Sequence, residues 1–463
     1  MNSAFTASRL RHDALAIWRA GVAAVQPAEL MQQAVRAAGD VLTIAGRCYD
    51  LRQVDRIAIV GAGKAGAGMA RSLLDVLGKH LVRSKRVFGI VNVLNEDADP
   101  TGPVVLHPGR PAGDPSPTLA GVAGSRRMLQ IIRSLGSADM AICLLSGGGS
   151  ALMPLPPDDV PLVDKRLTTA LLSRAGADIR ELNIVRKHLS NIKGGRLAQA
   201  CRARHLISLI ISDVIGNPLD IIASGPTVPD ASTYADALHI VDSYLRPREI
   251  PRAVHRHLQR GATGAFPDCP RSNPRRVRHV IVGDNRIAVE TAARKAQSLG
   301  YRVIGRGSAL DGESRAAGEA LAHAVADLAS RRCGVATRRA VCLIGGGETR
   351  VTAVPPEARG GRNQELVLAA LHASAAPFPP GVLILSAGTD GEDGPTDAAG
   401  ALVDARVAAR AVALNLSTRR ALAAHSSYGF FDRSGGLLRT GPTGTNVMDI
   451  QLALIASAAA PPP

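Results

Sequence analysis

Aromatic residues make up only 3% of the 463 positions, and there is a single Trp. Ala, Val, Leu and Ile must therefore fill any core, and a hydrophobic fraction of 46% is enough to build one. The same shortage removes the stacking platforms on which single-stranded nucleic acid is held, and no dense basic run stands in for them. Lysine is scarce too, contributing seven of the 55 basic residues. The formal net charge of +16 is spread along the chain as arginine. It reads as a solvated surface whose field favours acidic small molecules. The six cysteines (Cys48, Cys143, Cys201, Cys269, Cys333 and Cys342) form no CxxC pair and no zinc-spaced cluster with His. That argues against a disulfide scaffold and for a reducing compartment, the cytoplasm. No uninterrupted apolar run reaches the roughly 18 residues of a membrane span. The apolar stretch from Ala14 to Val25 is broken by Arg19 and reads as an amphipathic helix, not a signal peptide. A GxxxxGK[ST] phosphate loop is also missing.

What is present is an alternation of strand and helix patterns. Helical periodicity covers roughly Asp13 to Arg47. Apolar strands follow at Arg56–Val60, Val87–Val93, Met140–Leu145 and His205–Ser212. Helices are expected at Leu119–Leu135, Val163–Arg174 and Glu181–Arg202, and a Pro/Gly-rich loop at His107–Pro117. The Pro-, Gly- and Arg-rich stretch Gly261–Arg278 reads as a linker. A second series has strands near His279–Val282, Arg302–Ile304, Val341–Ile344 and Val382–Leu385. Continuous apolar strands between helices imply an α/β protein of two domains, residues 1–262 and 278–458. Each is expected to be a mostly parallel sheet with helices on both faces.

Seven polar, glycine-bearing segments follow these strands. Gly61-Ala62-Gly63-Lys64 opens a helix after a strand, where backbone N–H groups and a positive dipole suit an anion. It also fits GxGxxG, but Asn92 stands where a ribose-binding acid would be expected. Its plain reading is a tight turn with an exposed Lys. Ser146, Gly147, Gly148, Gly149 and Ser150 form an anion nest in the functional reading, since a structural turn rarely needs three glycines. Asn183, Lys187 and Asn191 are spaced four apart on one helical pattern, with Arg186 and Lys193 nearby; the alternative is a solvated face. Asp213 and Asn217 end a buried strand at the carboxyl edge of the sheet, as ligand contacts or as a helix cap. Gly345–Gly347, Glu348, Arg362 and Asn363 offer close approach and a two-donor clamp for carboxylate or phosphate. Asp390, Glu392, Asp393 and Asp397 crowd one loop, as magnesium ligands or as a solvated acidic turn. Thr443, Thr445 and Asn446 sit in a turn before what reads as a last helix.

In this order the motifs GAGKAG, LLSGGGSALMPLP, NIVRKHLSNIKGGRLA, ISDVIGNPLDIIASGPTVPD, GGGETRV, GGRNQE, AGTDGEDGPTDAAGA and TGPTGTNVMD resemble those of the class II glycerate kinases. The C-terminal part of that family is the MOFRL domain, about 340–456 here. The resemblance runs from the N-terminal helix to about Ala456. It implies a Rossmann-like N-terminal domain, a cleft between two α/β domains, and transfer of the ATP γ-phosphoryl group to the 2-hydroxyl of D-glycerate. Lys64 and Arg362 take the family's catalytic positions. Asp213 is assigned the proton-accepting role, and Asp390 or Asp213 the Mg2+. The glycine, serine and threonine turns, with Lys187, Asn217, Gly347, Glu348, Asn363 and Asn446, are assigned to ATP and substrate. The partners implied are ATP and D-glycerate, with no nucleic acid and no membrane, and a homo-oligomer is left open. His107 gains no role, because the simpler His-Pro pattern of the family is extended here. The rival readings are an NAD(P)H-dependent hydroxypyruvate reductase and a non-catalytic metabolite-binding protein.

Overall fold

The computed structural model describes residues 7–114, 116–330, 339–355 and 357–456. Cys333 lies outside them; Cys48, Cys143, Cys201, Cys269 and Cys342 are free thiols. The chain divides into one unit of Pro27–Gly283 and another that joins the stretch up to Gln26 to everything from Asp284 onward.

The Pro27–Gly283 unit begins with a helix, Pro27–Ala34, and an antiparallel meander of β1 (Val35–Ala38), β2 (Val41–Ile44) and β3 (Arg47–Asp50). The helical periodicity expected up to Arg47 therefore stops at Ala34. Gly39 and Gly46 turn the chain at positive φ between strands too short to show a period. The main sheet contains β4 (Arg56–Ala62), β5 (Phe88–Leu94), β6 (Val104–Arg110), β7 (Asp139–Leu145), β8 (His205–Ile211) and β9 (Val277–Gly283). Their order is β6-β5-β4-β7-β8-β9, and every pairing is parallel. Ile57, Ile59 and Val60 of β4 are fully buried, as expected of a strand covered on both faces. Each contributes roughly 1.5–3 kcal/mol. Ala58, Val60, Cys143 and Leu206 share a core cluster with Met128 and Ile132 of the helix Leu119–Arg133. Burial pushes the Cys143 thiol up to about 12, so it behaves as a small core residue.

Two expectations change here. The segment around His107 is not a loop from its start but the edge strand β6, and its His107 Nε2 donates to the Ala120 carbonyl at 2.9 Å. The strand expected to open the second domain, His279–Val282, is part of β9 and completes the first sheet against β8.

The other unit holds β10 (Arg302–Gly305), β11 (Val341–Gly347), β12 (Val382–Gly388), β13 (Gly400–Asp404), β14 (Leu437–Leu438) and β15 (Asp449–Ile455), ordered β10-β11-β15-β12-β13-β14. Only β10 and β11 pair in parallel, so this sheet is mixed rather than mostly parallel. The reason is β15, read from sequence as a helix. It is a fully buried strand that inserts antiparallel between β11 and β12. The helix Ala7–Ala24 packs on this sheet, with Trp18 Nε1 donating to the Ala387 carbonyl at 3.4 Å and Arg11 paired to Asp404 at 2.8 Å. It therefore belongs with the C-terminal sheet and not with residues 27–262.

Candidate active site

In the first unit the strand order reverses between β4 and β7, the position where open α/β sheets bind ligands beyond their carboxyl ends. The turns after both strands are knitted together there. Lys64 N–H donates to the Gly147 carbonyl at 2.8 Å, and Ala65 N–H donates to Ser146 Oγ at 3.1 Å. A methyl group on Gly61 would collide with the Leu144 carbonyl, and one on Gly63 with Ser146 Oγ. These two glycines let β4 and β7 approach each other, and Ser146 is buried as the staple. Gly148 adopts left-handed φ of 73°. A side chain there would begin 3.1 Å from Arg110 Nη2 and 3.4 Å from Lys64 Cγ.

Beside this turn lies a cavity of about 760 Å³. Gly148, Ser150, Arg110, Lys165, Arg186 and Lys193 line it. Lys193 is 1% exposed. Its Nζ donates to Ser150 O at 2.9 Å, Ser150 Oγ at 3.1 Å and Ala223 O at 3.2 Å. Ser150 Oγ in turn meets Ser224 Oγ at 2.9 Å, and Ser224 Oγ donates to Asn183 Oδ1 at 2.9 Å. Burial, with Lys165, Arg186 and Lys187 nearby, pulls the Lys193 pKa well below its ordinary value. Burial and the neighbouring Arg186 and Arg196 bring Lys165 down to about 7.

The other unit carries a second constellation. Arg362 opens the helix Arg362–Ala373 and forks onto Asp449, with Nε donating at 2.7 Å and Nη2 at 2.8 Å. Its Nη1 lies 3.1 Å from Glu348. Burial opposes the guanidinium charge, yet Asp449, Glu348 and Asp393 together hold its pKa above the ordinary value. Asp393 caps the same helix, accepting from Asn363 N–H at 3.0 Å and Gln364 N–H at 2.9 Å. Burial, only partly offset by these bonds, raises its pKa to about 6. Near the end of β12, a methyl on Gly388 would sit 2.9 Å from Asp390 Oδ1 and 3.5 Å from Asp449 Oδ1. Among the described residues no group of three His, Cys, Asp or Glu converges as a metal cage.

The family model described as "Domain of unknown function (DUF4147)" matches residues 13–259, and that of the MOFRL family matches residues 341–449. A glycerate 2-kinase of Pyrococcus horikoshii is 35% identical over 94% of this chain and 95% of its own length. A D-glycerate 2-kinase of Thermotoga maritima is 36% identical over 87% of this chain and 91% of its own. The chain belongs to the glycerate kinase family. A crystal structure of glycerate kinase from Thermotoga maritima superposes with a TM-score of 0.81 at 33% identity, covering 97% of this chain and all of that one. A human glycerate kinase is 36% identical over 96% of this chain and 92% of its own.

Within this glycerate kinase fold, several residues expected to touch substrate are held by the protein itself. Lys187 is buried in an ion pair with Asp230, with Asp220 at 3.5 Å. Asn191 lies beyond the end of its helix, Ile179–His188, and does not share a face with Asn183. Gly345–Gly347 are part of β11 rather than a nest. Methyls on Gly346 and Gly347 would strike Asn285 and Leu310. Asn363 is fully buried against Asp393 and Ser386. Thr443 Oγ1 donates to Thr389 O, and Thr445 Oγ1 to Val25 O, each at 2.6 Å. Asn446 Oδ1 accepts from Met448 N–H at 3.0 Å. Asp397 is tied to Tyr428 at 2.7 Å and Arg439 at 3.0 Å. Asp213 and Asn217 lie half-buried just past β8. Asn92 is a fully buried amide whose Nδ2 donates to the Leu152 and Gly121 carbonyls, so the dinucleotide reading finds no exposed carboxylate there to accept from a ribose. Reading the motifs alone missed Arg110 and Lys165. The available signal was the scarcity of lysine: of seven, three (Lys165, Lys187 and Lys193) are buried in one unit.

Proposed function

We propose that this chain phosphorylates D-glycerate at its 2-hydroxyl with ATP, giving 2-phosphoglycerate and ADP. The observation that supports this most directly is Lys64 at the switch point of the parallel sheet, beside a cavity lined with cations. Phosphoryl transfer needs positioning and charge neutralisation more than covalent chemistry. Lys64 would draw charge from the transferred group as the bond to the leaving oxygen lengthens. Arg362 keeps two donors on Asp449 and turns Nη1 toward Glu348. Glu348 is 45% exposed, so its pairing is weak and exchangeable for a phosphate or carboxylate oxygen. Asp213 would accept the proton released when the glycerate oxygen attacks the γ-phosphorus. Magnesium, when bound, would neutralise charge shared by the β- and γ-phosphates. Asp390 or Asp213 would hold it, since this ion needs only about one or two carboxylates once phosphates complete its shell. The cytoplasm suits the free thiols. No helix among the described residues is long and apolar enough to cross a membrane.

The test is purified protein with magnesium, ATP and D-glycerate, following ADP and then adding enolase. Glycerate-dependent ADP whose partner product enolase consumes is the expected result. Lys64→Met should lower kcat by about 10²–10³-fold with the fold intact. Turnover of that variant near the parent's would remove Lys64 from the mechanism. No ADP release, with NADH oxidised on hydroxypyruvate, would overturn the kinase reading.

A further inference from the structure

We infer that the edge of the parallel sheet at which its strands begin is a docking surface for double-stranded nucleic acid, held through its phosphates alone. The inference does not rest on the kinase reading. All six strands run the same way, so one edge carries every carboxyl end and the opposite edge every start. Backbone bonds tie the neighbouring starts together. Ile57 N–H donates to Lys85 O at 3.1 Å, and Asp55 N–H to Ala138 O at 2.7 Å. Arg204 N–H donates to Asp139 O at 2.9 Å, and Leu206 N–H to Arg276 O at 3.0 Å. Every start in this row except that of β7 brings arginine. Arg86 precedes β5, Arg56 opens β4, Arg202 and Arg204 precede β8, and Arg275 and Arg276 precede β9. From β5 to β9 the row spans four strand spacings, about 19 Å.

Arginines this close repel one another unless acids intervene, and few do. Arg56 takes the buried Asp139 at 2.6 Å. Asp55 is the one other carboxylate in these segments. Arg204 donates to Ser137 O at 3.3 Å and Gln53 Oε1 at 3.1 Å, and Arg276 to Cys201 O at 2.5 Å. Those acceptors are neutral. Arg86, Arg202 and Arg275 are exposed, and among the described residues none of the three is in an ion pair. The field is felt at His205, whose pKa is lowered by burial and by the neighbouring Arg47 and Arg204. Helix dipoles do not account for the row. The helices Gly66–Ser84 and Leu119–Arg133 carry their own Arg83 and Arg133 in the last turn.

The occupant follows from what the edge lacks. None of the large exposed apolar side chains belongs to these strand starts. A lipid surface would want an apolar anchor there, and a protein partner an apolar centre. Among the described residues no aromatic side chain is exposed, so the bases of a single strand have nothing to stack on. A duplex needs neither. It presents one charge per about 1.7 Å of its axis, and guanidinium forks match phosphate oxygens. An interface that is polar and strongly positive is the kind nucleic acid makes. The expectation of no nucleic-acid partner drew on the lack of a basic run with stacking aromatics. These arginines are spread over positions 56 to 276, and the parallel sheet gathers them.

The experiment is fluorescence anisotropy of a labelled DNA duplex of about 20 base pairs with the full chain, titrated at several salt concentrations. For the five arginines without a carboxylate, log K should fall with log salt at a slope of about −4 to −5. Arg86→Gln/Arg202→Gln/Arg275→Gln should melt within about 2 °C of the parent, since all three are surface changes. It should bind the duplex about thirtyfold or more weakly, with the slope reduced by about three. Arg406→Gln/Arg410→Gln/Arg419→Gln removes the same charge from exposed positions of the other unit. It should change affinity by less than about threefold. Equal losses in the two variants would show net charge acting alone and overturn the inference. So would no binding by the parent at about 50 mM salt, or equal affinity for a single strand of the same length. Tighter binding to phosphatidylserine vesicles or to polyglutamate than to the duplex would likewise replace nucleic acid as the occupant.

Discussion

Replacing Arg362 with Met separates what this arginine does for the fold from what it does for the reaction. Its fork onto Asp449 holds a carboxylate that is completely buried. Removing one partner of such a pair leaves an uncompensated buried charge, at a cost of about 3–5 kcal/mol. The half-exposed Glu348 adds only about 0–1 kcal/mol. In a unit of this size each kcal/mol moves Tm by about 2–4 °C, so Arg362→Met should melt roughly 6–20 °C lower. The double variant Arg362→Met/Asp449→Asn removes both charges and should recover most of that loss. On the proposed role of Arg362 in neutralising the phosphoryl group, the double variant's kcat should stay low, because the guanidinium is still missing. Thermal unfolding by circular dichroism and the coupled kinase assay, run on the same preparations, give the two readouts. A Tm within about 2 °C of the parent for the single variant would mean the fork carries little stability. Full turnover in the double variant would show that Arg362 serves the fold alone.

Two further predictions concern the same unit. Asp393 has its pKa raised to about 6 from the ordinary 3.8, so the folded protein keeps a proton that the unfolded chain has released. Its stabilising contribution is therefore complete below pH 3.8 and lost as pH rises through about 6. Urea melts should show the parent losing about 3 kcal/mol relative to Asp393→Asn between pH 4 and 7.5; a constant difference would refute the assignment. Thr445→Val should lower stability by about 1–3 kcal/mol, because the Val25 carbonyl loses its buried donor. Its KM for ATP should not move, and a tenfold rise in that KM would return Thr445 to the list of ligand contacts.

The parallel sheet was legible because β4, β5, β7 and β8 are continuous apolar runs that only a strand covered on both faces requires. The placement of Lys64 between a strand and a helix was legible for the same reason: a strand, a glycine turn and a helix follow one another without a gap. The meander at residues 35–50 was not, since four-residue strands carry too few positions to show a period of two. β15 was misread because all seven of its residues are buried, which erases the alternation that distinguishes strand from helix. Gly345–Gly347 mimic a phosphate nest, whereas their smallness serves neighbours that reach the strand from Asn285 and Leu310. The cavity was invisible because its lining comes from separate segments around residues 110, 148–154, 163–173 and 186–193. No local pattern joins them. Thr443, Thr445 and Asn446 show the converse: polar turn residues look like ligand contacts until their hydroxyl and amide groups are traced to backbone partners.

The helix Ala7–Ala24 leaves the ribosome early, but the sheet it covers is completed only by β15, whose strand holds β11 and β12 together. Translation at about 5–20 residues per second puts on the order of 20–90 s between the two. The whole Pro27–Gly283 unit can fold in that interval as an insertion. Until the helix Asn285–Ser298 is made, the stripe of Leu10, Ile17 and Trp18 has no surface of its own unit to cover, and the share that the sheet covers stays open until β15 is in place. Nascent chains arrested before Asp449 should accordingly be chaperone clients, retained through that first amphipathic segment even when the parallel sheet behind it is fully formed.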